Sequence, residues 1–328
     1  MTDDADTGPR GPDDSNPGGP IEAVDLNDPS VVAAALLRGA EACRDARCRQ
    51  GSIEVITAPG RVIASGDLHD NPVHLGRLVE LAELPLGLVG SPFAAHQELC
   101  SPDFGSHLTL HELIHSDRLV GGMDFSFRVL TRIAALKAFA PERVHVLLAN
   151  HELAQIAGSG VVKNGVRCVD AFNEAIDHTF AEDAGPVHEA VNTFIRAMPL
   201  ALRCSTPHGD LLCSHSLPAP GMMASFDTGI LSRELTEEDY VPRVGSAYKM
   251  VWGRGYDADQ LEDLTERWGI NLYILGHEHA HSGVAVVEPN AVVLNSDHER
   301  GVCLPIDLDE PIRAHDAPSR VVRLSQGV

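Results

Sequence analysis

HVLLANHELAQ, residues 145–155, starts as an apolar run from Val146 to Ala149 and then presents an amide, an imidazole and a carboxylate in succession. An unbroken apolar run of this length, bounded by polar residues, reads as a strand buried inside a sheet. The question is why such a strand ends in Asn150-His151-Glu152. Four other segments have the same design. RVIASGDLH (61–69) ends in Asp67 and His69, HLTLHELIH (107–115) in His111-Glu112, DLLCSHS (210–216) in His215, and NLYILGHEHAH (271–281) in His277 and His279. Alone, a strand-end histidine is usually a solvated one, and a D-x-H or G-H-x-H recurs by chance. Five such ends in order are a different matter, because in an open α/β sheet the carboxyl ends of the strands face one crevice. The five clusters are therefore expected to converge there.

Asp, Glu, Asn and His without Cys form a hard to borderline donor set, suited to Mn, Fe, Zn or Mg and not to a thiolate-held structural zinc. Six or seven donors oversupply one ion. Two divalent metal ions about 3.5–4 Å apart, sharing a carboxylate, use them well. Such a pair can clamp a phosphate and activate a water for attack on phosphorus.

Around these strands the pattern is that of one α/β domain. Helical spacing predicts helices over 31–46, over 71–84 with Leu75, Leu78, Val79 and Ala82 on one face, and over 124–139. In the last, Asp124 is the expected N-cap, with Leu130, Ile133, Ala134 and Lys137 following the period. Residues 165–202 read as a helical insert, with Val187, Ala190, Val191, Phe194, Ile195 and Met198 spaced by three and four. Further strands are expected in VAVVEP and AVVLNSD, and VCLPIDLD with SRVVRLS suggests a closing sheet edge. The single domain is expected to span 31–328. Residues 1–30 read as a disordered acidic leader, with seven Asp and one Glu against one Arg.

Composition narrows the function. A formal charge of −22 argues against a surface for long nucleic acid, which calls for clustered Lys and Arg. It leaves a phosphorylated small molecule or protein open as substrate, since a bound metal inverts the local field. Apolar runs such as VVAAALL (31–37) fall far short of the ~18 residues needed to span a bilayer, so no membrane segment is expected. Seven Cys without repeated C-x-x-C pairs, and a start lacking a signal-peptide pattern, suggest a reducing, cytoplasmic setting.

The series G-D-x-H (66–69), N-H-E (150–152), a strand-end His215 and G-H-x-H (276–279) resembles the calcineurin-like metallophosphoesterases, and more closely their phosphoprotein phosphatase branch. FIRAMPLALRC, LLCSHSLP, MVWGRG and LNSD extend the likeness over about 61–308. The resemblance implies a four-layer α-β-β-α sandwich and a dinuclear metal site. Asp67, His69 and His279 would hold the first metal, and Asn150, His215 and His277 the second. His151 would be the acid that protonates the leaving oxygen, and Glu152 would support the site through hydrogen bonds.

Two departures stand out. The family's G-D-x-x-D-R becomes HELIHSDR, read with His111 for glycine, Glu112 for the bridging Asp, and two residues inserted before Asp117-Arg118. Glu112 carries its carboxylate about 1.5 Å further out, and Asp117 competes with it for the bridging position. Asp117 fits better as the partner orienting His151, with Arg118 as a phosphate fork and Arg254 as a second phosphate contact beside Asn150. Ala149 also replaces a glycine; if that backbone needs positive φ, alanine resists it by about 1 kcal/mol. The expected activity is hydrolysis of phosphate monoesters of the phosphoprotein type. The alternatives are a dinucleoside polyphosphate hydrolase and a non-catalytic, metal-binding descendant of the fold.

Overall fold

The computed structural model describes residues 24–90, 105–158 and 160–325, and the part of the acidic leader before residue 24 lies outside them. Its strands are β1 (Arg49–Gln50), β2 (Ile53–Thr57), β3 (Arg61–Ser65), β4 (His107–Leu110), β5 (Val144–Val146), β6 (Val162–Lys163), β7 (Val166–Arg167), β8 (Ala201–Ser205), β9 (Asp210–Ser214), β10 (Ile270–Leu275), β11 (Val284–Val287), β12 (Ala291–Leu294), β13 (Val302–Asp307) and β14 (Val322–Arg323). Among the described residues they form a seven-stranded sheet ordered β1-β2-β8-β9-β10-β12-β11, a five-stranded sheet ordered β14-β13-β3-β4-β5, and a β6-β7 ribbon. Both large sheets are mixed: β3, β4 and β5 run parallel, as do β9, β10 and β12, while β13 runs antiparallel to β3.

Successive side chains on a strand point to opposite faces, and here both faces are buried. Val62 and Ala64 of β3, Leu211 and Cys213 of β9, Leu272 and Ile274 of β10, and Leu304 and Ile306 of β13 share one core between the sheets. Their neighbours Ile63, Leu212, Tyr273 and Cys303 face a second core that includes residues of the helices. That arrangement is the expected four-layer α-β-β-α sandwich. It also explains why these strands read as apolar runs without alternation.

The helices are α1 (Pro29–Asp45), α2 (Pro72–Leu81), α3 (Phe127–Phe139), α4 (Asn150–Ala157), α5 (Cys168–Phe180), α6 (Ala184–Ala197), α7 (Ser246–Trp252) and α8 (Ala258–Trp268), with a four-residue turn at Ala317–Arg320. Asp28 caps α1 by accepting from the amides of Ser30 and Val31, and Asn71 caps α2 through His74 N–H. Helix α1 packs on α3 and α6; α2 lies on β3, α3 on β5 and α8 on β10. No described helix is long and apolar enough to cross a membrane. The described cysteines are free and buried.

The structure differs from the sequence reading at three points. Helix α3 begins at Phe127, not near Asp124, and Asp124 instead accepts from Ser126 N and Oγ (3.0 and 2.8 Å) in the preceding turn. The strand of the opening stretch ends at Val146, and Asn150 is the first residue of α4. Ala149 has φ −121°, so no left-handed backbone is needed there and alanine fits without strain.

Candidate metal centre

Beyond the ends of β3, β4, β5, β9 and β10 the two sheets close on each other. Asp67 forms isolated parallel bridges with both His111 and Asn295, tying the extension of β3 to those of β4 and β12. Gly66 is required by this approach, since a Cβ there would meet Leu294 O at 2.0 Å. Gly276 is required by the site itself: a Cβ would lie 2.3 Å from Asp67 Oδ1. Both glycines of the first and last motifs thus answer a close approach, not a turn.

The side chains gathered there are nearly all buried. His277 N–H donates to Asp67 Oδ1 and Oδ2 (2.9 and 3.0 Å), and Oδ1 lies 3.5 Å from His111 Nδ1 and 3.4 Å from His215 Nδ1. Burial opposes ionisation of Asp67, but these imidazoles outweigh it and hold its carboxyl well below the ordinary value. Glu112 sits centrally. Its Oε1 is 3.1 Å from His69 Nε2 and 3.2 Å from His151 Nε2, and its Oε2 is 3.3 Å from His215 Nε2. His215 Nε2 is also 2.6 Å from Asn150 Oδ1 and 3.1 Å from His277 Nδ1.

Three groups are therefore placed to hold metal: Asp67 with His111 and His215, His69 with Glu112 and His151, and Glu112 with His215 and His277. Two buried atoms of the cluster, Glu112 Oε2 and His277 Nε2, have no hydrogen bond. Buried polar atoms are seldom left so. His111 Nδ1 and His215 Nδ1 lie 3.2 Å apart, so one of the two rings donates there. Converging oxygen and nitrogen donors, with the acceptor Glu112 Oε2 lacking a hydrogen bond, fit divalent cations of the Mn, Fe, Zn and Mg class. Burial and then His215 and Arg254 push His277 down to about 2, which leaves that ring neutral, as a ligand must be. Burial lowers His69, yet Glu112 overrides it and raises the ring to about 9.

Backbone strain concentrates here. His69, Asp70, Glu112, His115 and His277 all have φ between 42 and 64°, a region that non-glycine residues rarely occupy. Glu152 braces one of these turns. It is fully buried and accepts from the amides of Leu113 and Ile114 (2.7 and 3.2 Å), just after Glu112. It lies outside the three metal-competent groups.

Asp67, His69, Glu112, Asn150, His151, His215 and His277 are brought together. Asp117, Arg118 and His279 are not. The Asp117 side chain is 64% exposed and lies 3.5 Å from Lys163 Nζ, so it neither bridges metals nor touches His151. Arg118 donates to the carbonyls of His69 and Asp70 (2.8 and 3.2 Å), bracing the first loop in place of acting as a fork. His279 turns toward His281 and His298, because Asn295 holds Glu278 O and Ala280 N–H and fixes that loop. Arg254 does reach the site, with Nη2 3.3 Å from His277 Nδ1.

Two histidines add to the sequence reading. His111 donates through Nε2 to Ser65 O (3.0 Å) and so turns the Nδ1 lone pair into the cluster. His115 stands 3.0 Å from His151, Nδ1 to Nδ1, where a partner for the acid was expected. The signal was present: without an insertion, H-E-L-I-H-S matches G-D-x-x-D-R position for position, and His115 takes the place of the second Asp. A cavity of about 220 Å³ bounded by His115, Asp117, Asp124, Lys163 and Asn164 opens beside this pair. A larger one, about 830 Å³, lies on β2, β8 and α8 and touches none of the site residues.

No protein-family model matches the chain, and no curated protein does. Solved structures do resemble it. A protein serine/threonine phosphatase from Saccharomyces cerevisiae with similarity to human phosphatase PP5 superposes with TM-score 0.58 at 14% identity, over 85% of this chain and 83% of that one. A cold-active protein-tyrosine phosphatase of a psychrophilic Shewanella gives 0.51 at 13% identity, over 84% and 83%. The likeness is one of fold.

Proposed function

We propose that the protein is a metal-dependent phosphoesterase that hydrolyses phosphate monoesters. The observation that carries this reading is the convergence of Asp67, His69, Glu112, Asn150, His215 and His277 in one buried cluster, with Glu112 Oε2 left without a hydrogen bond. Asp67, His69 and Glu112 would hold one ion, and Glu112, Asn150, His215 and His277 the other, so that Glu112 is the shared carboxylate. Divalent ions bound there supply Lewis acidity toward phosphoryl oxygens and lower the pKa of a water.

The protein's own residues do the rest. His151 presents Nε2 toward the centre, 3.2 Å from Glu112, and is assigned the proton that the leaving oxygen needs. Arg254 and Lys163, the one beside His277 and the other across the small cavity, are cations available to a phosphate. The two solved structures described above are named as protein phosphatases, and a phosphorylated side chain is the substrate class we propose.

Metal analysis and p-nitrophenyl phosphate turnover test this. Two equivalents of divalent metal, with turnover removed by a chelator and restored by one of Mn, Fe, Zn or Mg, are expected. A chain that binds no metal and turns over no ester with any of the four ions is a binding protein, and the reading fails.

A further inference from the structure

The chain has two tryptophans, and they are placed differently. Trp268 is 9% exposed, packs against Phe226 and Tyr273, and donates from Nε1 to Thr228 O (2.8 Å). Trp252, the last residue of α7, is half-buried, and its Nε1 has no hydrogen bond. Buried indole N–H groups usually find an acceptor, so stacking, not a hydrogen bond, places this ring. It lies on Tyr248, one turn earlier, with centroids 5.5 Å apart and planes at 24°. It also stands edge-on to the proposed ligand His277, at 6.3 Å and 86°.

The backbone holds this pair against the metal centre. A Cβ at Gly253 would meet Leu217 O at 1.8 Å, and Ser216 Oγ donates to Gly253 O (2.6 Å), which pins the end of α7 to the turn after His215. Gly255 N–H donates to Glu278 Oε1, which pins the following residues to the loop after His277. Arg254, between them, reaches His277 Nδ1 with Nη2 (3.3 Å). Helix α7 also packs on α4, whose first turn carries Asn150 and His151. An aromatic pair and a cation therefore share the rim of the centre, beside the helix of the proposed acid.

We infer that Tyr248 and Trp252 form a platform for the phenyl ring of a phosphotyrosine, which makes an aryl ester the favoured substrate. The inference rests on the metal centre being a phosphoesterase site, as proposed above. In an aryl ester a ring carbon is bonded to the ester oxygen itself, so the ring enters beside the metal ligands, where this pair stands. A seryl or threonyl leaving group offers no ring to stack, and the base of a nucleotide is held away from its phosphate by a sugar. Aromatic rings pack offset or edge-to-face with centroids roughly 4.5–7 Å apart, the spacing Trp252 already keeps from Tyr248 and His277.

The test uses two peptides that differ only in carrying phosphotyrosine or phosphoserine, and reads each variant against wild type so that the intrinsic difference in leaving group cancels. Trp252→Leu is expected to lower kcat/KM on the phosphotyrosine peptide by about tenfold, the upper range for an aromatic pair, and on the phosphoserine peptide by less than about twofold. Trp252→Phe should recover most of that loss, and Tyr248→Leu should lose about threefold on the phosphotyrosine peptide alone. Binding gives a readout that needs neither turnover nor a variant. On the zinc-loaded full chain, phenylphosphonate should shift the tryptophan emission at concentrations where methylphosphonate does not, Trp268 being buried. Equal losses on the two peptides, equal responses to the two phosphonates, or 5′-AMP hydrolysed faster than phenyl phosphate overturns the inference. A wild-type protein that hydrolyses none of these esters sinks the proposed function instead, and the phosphonates then decide the platform by themselves.

Discussion

Two buried clusters of carboxylates and imidazoles lie at opposite ends of β4. Before its first turn, His107 meets His145 (Nδ1 to Nε2, 3.0 Å), whose Nδ1 lies 2.5 Å from Glu54 Oε2, while Lys137 Nζ holds Glu54 Oε1 at 2.7 Å and Pro141 O at 2.7 Å. Both Glu54 oxygens, both His145 nitrogens and the Lys137 ammonium are engaged. Beyond the other end, Glu112 Oε2 has no hydrogen bond and only the His215 ring beside it, at 3.3 Å. Distance alone groups Cys48, Glu54 and His145 as readily as it groups Glu112, His215 and His277. Saturation separates them: the closed cluster is brought into the core with its own counter-charge, and the open one keeps donor atoms that could hold a cation.

The largest expected effect is at the open cluster. Glu112→Gln should lower phosphatase turnover on the order of 10³-fold, since metal clamping is worth several kcal/mol, while the thermal midpoint holds or rises. Unchanged turnover would collapse the distinction. At the closed cluster the phenotype should invert. Glu54→Ala strands a buried ammonium and should cost about 3–5 kcal/mol in urea unfolding, with kcat of the folded fraction unaltered; a mutant as stable as the parent would mean that Lys137 finds another partner.

The smallest effect is a pH dependence. Burial raises Glu54, but Lys137 and His145 more than compensate and hold it at about 2, so the unfolded chain takes up that proton first. This contribution is whole above the ordinary carboxylate range and disappears as pH falls toward 2. Burial and then His145 keep His107 neutral down to about 3, adding a loss that begins near the ordinary histidine value of 6.5. Unfolding free energy should therefore decline below pH 6.5, and His107→Leu should flatten the early part of that decline in denaturant titrations at fixed pH.

The contrast also explains what could be read from the chain. Strands were legible because both of their faces are buried, and the order of Asp67, Asn150, His215 and His277 was legible because each lies within four residues of its strand's end. Lys137 kept the period of α3 as though apolar; nothing local announces that Glu54, far away in the sequence, waits across the core. His115 was missed because the reading spared an Asp-Arg pair by allowing two inserted residues, whereas the ungapped register was the physical one. His279 and Arg118 were misassigned because their partners, Asn295 in one case and the His69 and Asp70 carbonyls in the other, belong to distant segments. Such pairings exist only once the sheets have closed.

The five left-handed residues around the metal centre follow a similar logic. Each conformation of that kind stores roughly 1–3 kcal/mol that the surrounding framework must restrain, and three of the five, His69, Glu112 and His277, are the very side chains proposed as ligands. Glycine would relax any of these positions and erase the donor in the same exchange. The tension is thus locked to the chemistry: a lineage that shed it would be left with a sturdier fold and an empty-handed pocket.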